Sequence, residues 1–254
     1  MVHNSGGEFI DAFSDIANRY AKTRPTYPSA FFEALAGLAP TTSCAWDCGT
    51  GNGQAAEGLS KVFDYVEATD ASAEQIAHAP PFARVRYRVA PAEASGLPDR
   101  SVDLVSVAQA LHWFDLSAFY AEVRRVARPR GLLAVYGYSW FYISPEIDAL
   151  AGRWLFQPVE SYWSTNNQLL WDGYRTIDFP FQELAAPRLA VLLSWTLQQL
   201  FDYYVTWSAP RRKIAAEGDQ FVAAARRAFE TVWENPATPR QVVMPMVARL
   251  GRLP

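Results

Sequence analysis

The stretch WDCGTGNG, residues 46–53, sets an acidic residue and three alternating glycines where a short apolar segment ends. A segment so poor in side chains lets another molecule come close to the backbone. It lies between CAWDC (44–48) and the helix-period run QAAEGLSKVF (54–63), so it reads as the loop from a first strand into a first helix. In an open parallel sheet such a loop sits at the carboxyl edge, near the point where ligands bind, which places Gly49, Gly51 and Gly53 at a pocket. A dinucleotide fingerprint, G-x-G-x-x-G, would need glycine at position 54, where Gln54 stands, and no Gly-Lys-Ser or Gly-Lys-Thr follows. The loop therefore holds something other than a phosphate.

Outward from it, apolar runs alternate with helical ones: YVEATD (65–70), SAEQIAHA (72–79), RVRYRVA (84–90), VDLVSVAQAL (102–111), LSAFYAEVRRVA (116–127) and GLLAVYGY (131–138). Strands alternating with helices predict a parallel sheet covered on both faces. Arg84 to Val89 alternates strictly and reads as an edge strand, whereas Leu104 to Ala108 is almost wholly apolar or small and reads as a central one. In 116–127, Leu116, Phe119, Tyr120, Val123 and Val126 recur at helical spacing, with Glu122, Arg124 and Arg125 expected on the wet face. Beyond Tyr138, residues 140–181 are crowded with aromatics and keep no clean period, which predicts an inserted cap. RLAVLLS (188–194) and QVVMPMVARL (241–250) read as strands, and TLQQLFDYYVTWS (196–208) and FVAAARRAFETVWE (221–234) as helices. The expected organisation is residues 36–139 as an α/β core, 140–185 as the cap, and 186–254 as helices and strands completing the sheet.

Composition narrows the partners. The 254 residues are 50% apolar and 14% aromatic with a formal net charge of −3, and no basic run exceeds Arg211-Arg212-Lys213. That argues against nucleic acid or an anionic membrane and for a small ligand. The longest uncharged stretch, 131–145, falls short of the roughly 20 residues of a membrane helix. Residues 1–9 lack the charge and apolar core of a signal peptide, so the expected location is cytoplasmic. Cys44 and Cys48 have no second pair, and His3, His78 and His112 are scattered, so free thiols and no metal are expected.

Two carboxylates give the loop its chemistry. Asp70 closes the second strand, 17 residues after Gly53, where an acidic side chain can accept hydrogen bonds from a ribose. Asp47, just ahead of the glycines, can face an ammonium. Ribose plus amino acid is the shape of S-adenosylmethionine. A helix cap or turn is the alternative role for either aspartate.

At this point WDCGTGNG resembles the first motif of class I S-adenosylmethionine-dependent methyltransferases, and VEATDAS (66–72) their ribose-binding second strand. APAEASGLPDRSVDLV (90–105) resembles the adenine-side segment, with Ala92 and Glu93 flanking the base. VAQALHWFD (107–115) resembles the fourth-strand motif, and AEVRRVARPRGLLAVYGY (121–138) the following helix and strand. YAKTRPTYP (20–28), AQALHWFD (108–115), NQLLWDGYRTIDFPF (167–181) and WTLQQLFDYYVTWSA (195–209) are similar to the trans-aconitate methyltransferase branch, of methyltransferase type 11. The resemblance implies a seven-stranded, mostly parallel α/β sheet with an antiparallel last strand. It also implies residues 1–35 as an N-terminal helical lid across the cofactor, residues 36–139 as a Rossmann-like core, and a cap supplying the acceptor pocket. On it, Tyr20, Arg24, Cys48, Ala71 and Gln109 join Asp47, Gly49, Gly51, Gly53, Asp70, Ala92 and Glu93 as cofactor-binding residues, with S-adenosylhomocysteine as product. The departure is Pro129-Arg130-Gly131 in place of Pro-Gly-Gly, which alters a turn.

The expected reaction is O-methylation of a small organic acid, with C-methylation of a ring or enol as the alternative. A hydroxyl or enol acceptor needs a base, and His112 past the fourth strand is the histidine placed for it. A carboxylate acceptor needs only positioning, and His112 with Trp113 would then shape the pocket. Trp140, Tyr142 and Arg175 complete the expected substrate contacts, and Arg24 is a second anchor for an acid, although either arginine could equally form a surface ion pair. Gln109-Ala110-Leu111-His112 lacks the Pro-Pro-aromatic signature of amino-group DNA methylation. A nicotinamide dehydrogenase and a non-catalytic cofactor binder remain as rival classes, and a monomer and a homodimer are both open.

Overall fold

Strand β1 (Ala45–Cys48) is buried at every position, which requires sheet neighbours on both edges and cover on both faces. The computed structural model describes residues 24–254 and supplies them. β1 pairs in parallel with β2 (Val66–Asp70) on one side and with β4 (Val102–Ala108) on the other. β3 (Val85–Val89) lies outside β2, and β5 (Ala127–Tyr138) outside β4, both parallel. The edge and central readings of β3 and β4 hold: β3 is only half covered, while β4 is buried from Val102 to Val107. The last strand, β8 (Arg240–Arg252), runs antiparallel to β5, from Leu132 opposite Arg252 to Tyr138 opposite Met246.

Among the described residues the sheet has eight strands, in the order β3-β2-β1-β4-β5-β8-β6 with β7 also on β8, and this corrects the expected seven. The extra strand is β6 (Gln182–Leu184), three residues antiparallel to the end of β8. Strand β7 (Ala190–Trp195) falls where 188–194 predicted it, and the Met246 N–H donates to the Leu189 carbonyl at 3.0 Å beside it. A 13-residue β8 is long enough to carry partners on both edges.

Helices α1 (Ser29–Leu38), α2 (Gln54–Leu59), α3 (Ala73–Ala77) and α4 (Leu116–Val126) flank this sheet. Asp115 caps α4 by accepting the Ala118 N–H, and Phe119, Tyr120, Val123 and Val126 fill the core beside Trp46 and Val105. Glu122, expected on the wet face, is buried instead: its carboxylate accepts from the Ser95 N–H and hydroxyl and from Arg125. Burial of a carboxylate is sustained by such partners.

By its internal packing the chain divides into two units. The sheet unit holds Thr26–Trp140, Thr165–Val191 and Met244–Pro254, and includes α6 (Asn167–Trp171). The second unit holds Phe141–Ser164 and Leu192–Val243 together with Arg24 and Pro25. Its helices are α5 (Pro145–Ala151), α7 (Leu197–Tyr204), α8 (Ser208–Glu217) and α9 (Gln220–Trp233), with a π turn at Gly152–Phe156 and a 3-10 turn at Gln157–Tyr162. Changing helix type within 145–162 is why no single period was visible there. Trp207 centres this unit's core, stacked flat on Phe156 with ring centroids 5.8 Å apart and flanked by Phe141 and Trp163. Among the described residues no helix is long and apolar enough to cross a membrane.

Candidate functional site

The glycine loop leaves β1 through Gly49, Gly51 and Gly53, all at positive φ. At Gly49 the requirement is double. A Cβ there would lie 2.6 Å from the Ala110 Cβ and 3.1 Å from the Phe114 ring. The close approach brings the loop against the segment that follows β4. On its other side the loop is tied to the end of β2, where Gly49 and Thr50 N–H both donate to the Thr69 carbonyl at 2.8 and 2.9 Å. Asp70 completes the tie: one carboxylate oxygen accepts the Gly51 N–H and the other the Ser72 N–H, each at 2.8 Å.

Asp47 is fully buried beneath the loop. The Thr50 hydroxyl donates to it at 2.6 Å and the Ser106 hydroxyl at 3.3 Å, and Ser106 also meets the Tyr136 hydroxyl at 2.9 Å. Burial outweighs these bonds and pushes its carboxyl up to about 6. A carboxylate held this way gains from a cation brought alongside it.

Past β4 the chain turns sharply. Gln109 adopts φ 54, a left-handed conformation uncommon for a residue with a side chain. Its side chain packs on the backbone at Gly137, where a Cβ would lie 2.8 Å away, and its amide approaches the Tyr27 hydroxyl at 3.5 Å. A 3-10 turn, Leu111–Trp113, then presents His112 and Trp113. Glu93 anchors the exit of this turn by accepting the Asp115 N–H at 2.9 Å. His112 is buried, its Nδ1 lies 3.1 Å from the Tyr174 hydroxyl, and burial lowers its pKa to about 4. Trp113 is 54% exposed beside it.

The structure thus gathers Asp47, Cys48, Gly49, Gly51, Gly53, Asp70, Gln109, His112 and Trp113 at the carboxyl ends of β1, β2 and β4. Ala92 is buried and Ala71 exposed at the same edge. Trp140 packs on Trp171 with centroids 4.9 Å apart. Arg175 is exposed, and its Nε donates to the Asp172 carbonyl at 2.8 Å. Arg24 and Tyr142 belong to the second unit: Arg24 donates to the Thr206 carbonyl at 3.4 Å, and Tyr142 exchanges backbone hydrogen bonds with Val243. Tyr20 lies outside the described residues. The sequence reading missed Thr50, Ser106, Tyr136 and Tyr174. Thr50 and Ser106 stood inside quoted motifs, where a hydroxyl beside a buried aspartate was the available signal. Tyr174 is 62 residues from His112, and only a Gly-Tyr pair in a turn marks it.

Two buried polar atoms at this edge, Asn52 Oδ1 and the Tyr87 hydroxyl, have no hydrogen-bond partner among the described residues. The Tyr87 hydroxyl stands against the Cα of Gly53, and beside Gly51 the nearest atom to a Cβ position is 3.9 Å away. Orphaned polar atoms in a side-chain-free cradle ask for a polar ligand. With an anionic floor at Asp47 and no third fingerprint glycine, the residues fit a nucleoside bearing an amino acid better than a pyrophosphate.

Comparison with known proteins agrees. A family model for a methyltransferase domain matches residues 46–135. A presumed methyltransferase of Dictyostelium discoideum is 32% identical over 205 residues, covering 79% of this chain and 78% of its own length. The solved structure of a presumed type II methyltransferase from Anaeromyxobacter dehalogenans is 41% identical, with a TM-score of 0.85 and coverage of 90% of this chain and 97% of that one. A presumed S-adenosylmethionine-dependent methyltransferase of Saccharomyces cerevisiae matches more locally, at 31% identity over 50% of this chain and 45% of its own. Fold and loop together define a Rossmann-like methyltransferase. The chain belongs to the class I S-adenosylmethionine-dependent methyltransferase family, and S-adenosylmethionine is its cofactor.

Proposed function

We propose that the enzyme O-methylates a small organic acid. The observation that carries this reading is His112, a buried imidazole held far below its ordinary pKa at the turn after β4. Such a group is uncharged at neutral pH and a weak base, which suits an acceptor that is already ionised. Similarity of several segments to the trans-aconitate methyltransferase branch supports a carboxylate. When bound, S-adenosylmethionine would supply an electrophilic methyl group on a sulfonium sulfur, open to an acceptor's lone pair.

The chain's own residues bind and align. Asp47 offers its charge to the ammonium, directly or through water, and Asp70 shares its remaining lone pairs with the ribose. The glycine backbone, Cys48, Ala71, Ala92, Glu93 and Gln109 shape the cofactor's bed, with Tyr20 and Arg24 as further contacts. Trp113, Trp140, Tyr142 and Arg175 are the proposed acceptor contacts, and residues 140–185 the proposed cap. Alignment alone accounts for about 7–11 kcal/mol of such a barrier. The matching setting is a cytoplasmic small-molecule enzyme. Exposed Trp113 favours a planar acceptor as well, so C-methylation of a ring or enol is the second reading.

The test is incubation with S-adenosylmethionine and a panel of small carboxylic acids, each matched to a phenol and an enol of similar size. Base-labile methyl esters, seen by mass spectrometry, are the expected product. Stable ethers or C-methyl products would overturn the carboxylate reading. His112→Gln with unchanged turnover would eliminate an essential base at that position.

A further inference from the structure

With His112 read as a group facing the acceptor, as proposed above, the placement of its proton decides what it can do there. Tyr174 is fully buried, and the hydrogen-bond contact of its hydroxyl among the described residues is Nδ1 of His112, at 3.1 Å. A phenol carries one proton to donate, and a neutral imidazole carries one donor and one acceptor nitrogen. If Nδ1 held the proton, the buried phenol hydrogen would have no acceptor among the described residues, and buried donors are rarely left so. If the phenol donates to Nδ1, every buried proton is used and the imidazole hydrogen sits on Nε2.

The backbone around Tyr174 shows that this contact is held from several sides. Gly173 and Tyr174 both have positive φ, 65 and 57. A bulky side chain in that conformation persists only where its surroundings impose it. Here the Tyr174 N–H donates to the Leu169 carbonyl at 2.7 Å, and Arg249, reaching over from β8, donates to the carbonyls of Tyr174 and Ile177 at 2.7 and 3.1 Å. Arg249 is seated in turn on the Phe179 ring, 4.4 Å from its centroid. The imidazole is likewise hemmed by the rings of Trp113 and Tyr174.

We propose that Tyr174 is a positioning residue that fixes His112 as its Nε2–H tautomer, so that His112 donates a hydrogen bond and does not accept a proton. The consequence for specificity is one of proton bookkeeping. A hydroxyl or enol must lose a proton when it is methylated, and an Nε2 that already carries hydrogen cannot take it. A carboxylate loses none, and a neutral N–H donor can hold one of its oxygens while the other reacts. The lowered pKa of His112 agrees, because an uncharged imidazole is the form to which tautomers apply.

The experiment is nitrogen-15 NMR of the imidazole side chains at pH 7 in the whole, cofactor-free protein, with His112→Gln assigning the signal among the three histidines. The expected pattern is a protonated, pyrrole-type Nε2 and an unprotonated Nδ1. In Tyr174→Phe, which keeps the ring and removes only the hydroxyl, the pattern is expected to relax to a mixture of tautomers. A pyrrole-type Nδ1 in the native protein would overturn the proposal, and so would an unchanged pattern in a folded Tyr174→Phe variant. The native spectrum decides the tautomer even if that variant fails to fold. Absence of methyl transfer to any acceptor, alongside the expected spectrum, would count against the function while supporting the tautomer.

Discussion

Asp47 is the residue whose charge state matters most. Its carboxyl is raised from 3.8 to about 6 by burial, so the native state holds its proton more tightly than the unfolded chain. The associated stability is therefore full below pH 3.8 and is lost as pH rises through about 6, a change of roughly 3 kcal/mol for a shift of this size. Thermal melts of Asp47→Asn across pH 4 to 7 are expected to lack that decline. A bound ammonium would reverse the burden, so S-adenosylmethionine affinity is expected to weaken as pH falls below about 6 in the native enzyme and to be weak and flat in Asp47→Asn; titration calorimetry reads both. Much of this site was legible in the sequence. The glycines and the two aspartates announce themselves by spacing and His112 by place after a strand, whereas Gln109 was named on resemblance alone. Tyr174 did not, because a contact across 62 residues leaves no periodic trace.

At the level of elements, the loop after β1 and the turn after β4 are packed so closely that Gly49 has no room for a methyl. Left-handed backbone costs a side chain about 1–2 kcal/mol, and overpacking adds about 1–3. Gly49→Ala is thus expected to destabilise by about 2–5 kcal/mol in urea titration and to abolish cofactor binding. Strand β5 shows the opposite case. Its register against β4 jumps from Ala127 to Leu132 around a bulge in which Arg130 has φ 61, where the family pattern has glycine. Arg130→Gly relieves that strain, and about 0.5–1 kcal/mol of added stability with unchanged turnover is the expected result. The sequence showed a turn at Pro129-Arg130-Gly131 but not that it lies inside β5, which starts at Ala127; β6 was not legible either, since three residues pairing with one strand end carry too short an alternation to read.

For the whole molecule, cofactor binding and folding are linked. S-adenosylmethionine at about a hundred times its dissociation constant stabilises by roughly 2.7 kcal/mol, a rise of some 5–10 °C in Tm for a chain of this size. NAD is expected to give no shift, and Asp70→Ala to lose the one from S-adenosylmethionine. That β3 lies at an edge and β4 in the centre was legible because burial on two faces and burial on one write different patterns. The division of β7 and β8 between two units was not, because no break in composition marks those two boundaries. The Asp70 clamp has one further consequence. Its two oxygens already hold the Gly51 and Ser72 amides in the ligand-free chain, so the entropy of shaping the loop is met during folding and not at the moment of encounter. An arriving nucleoside meets a mould already set, and the Gly51 amide is expected to resist hydrogen exchange before any ligand is added.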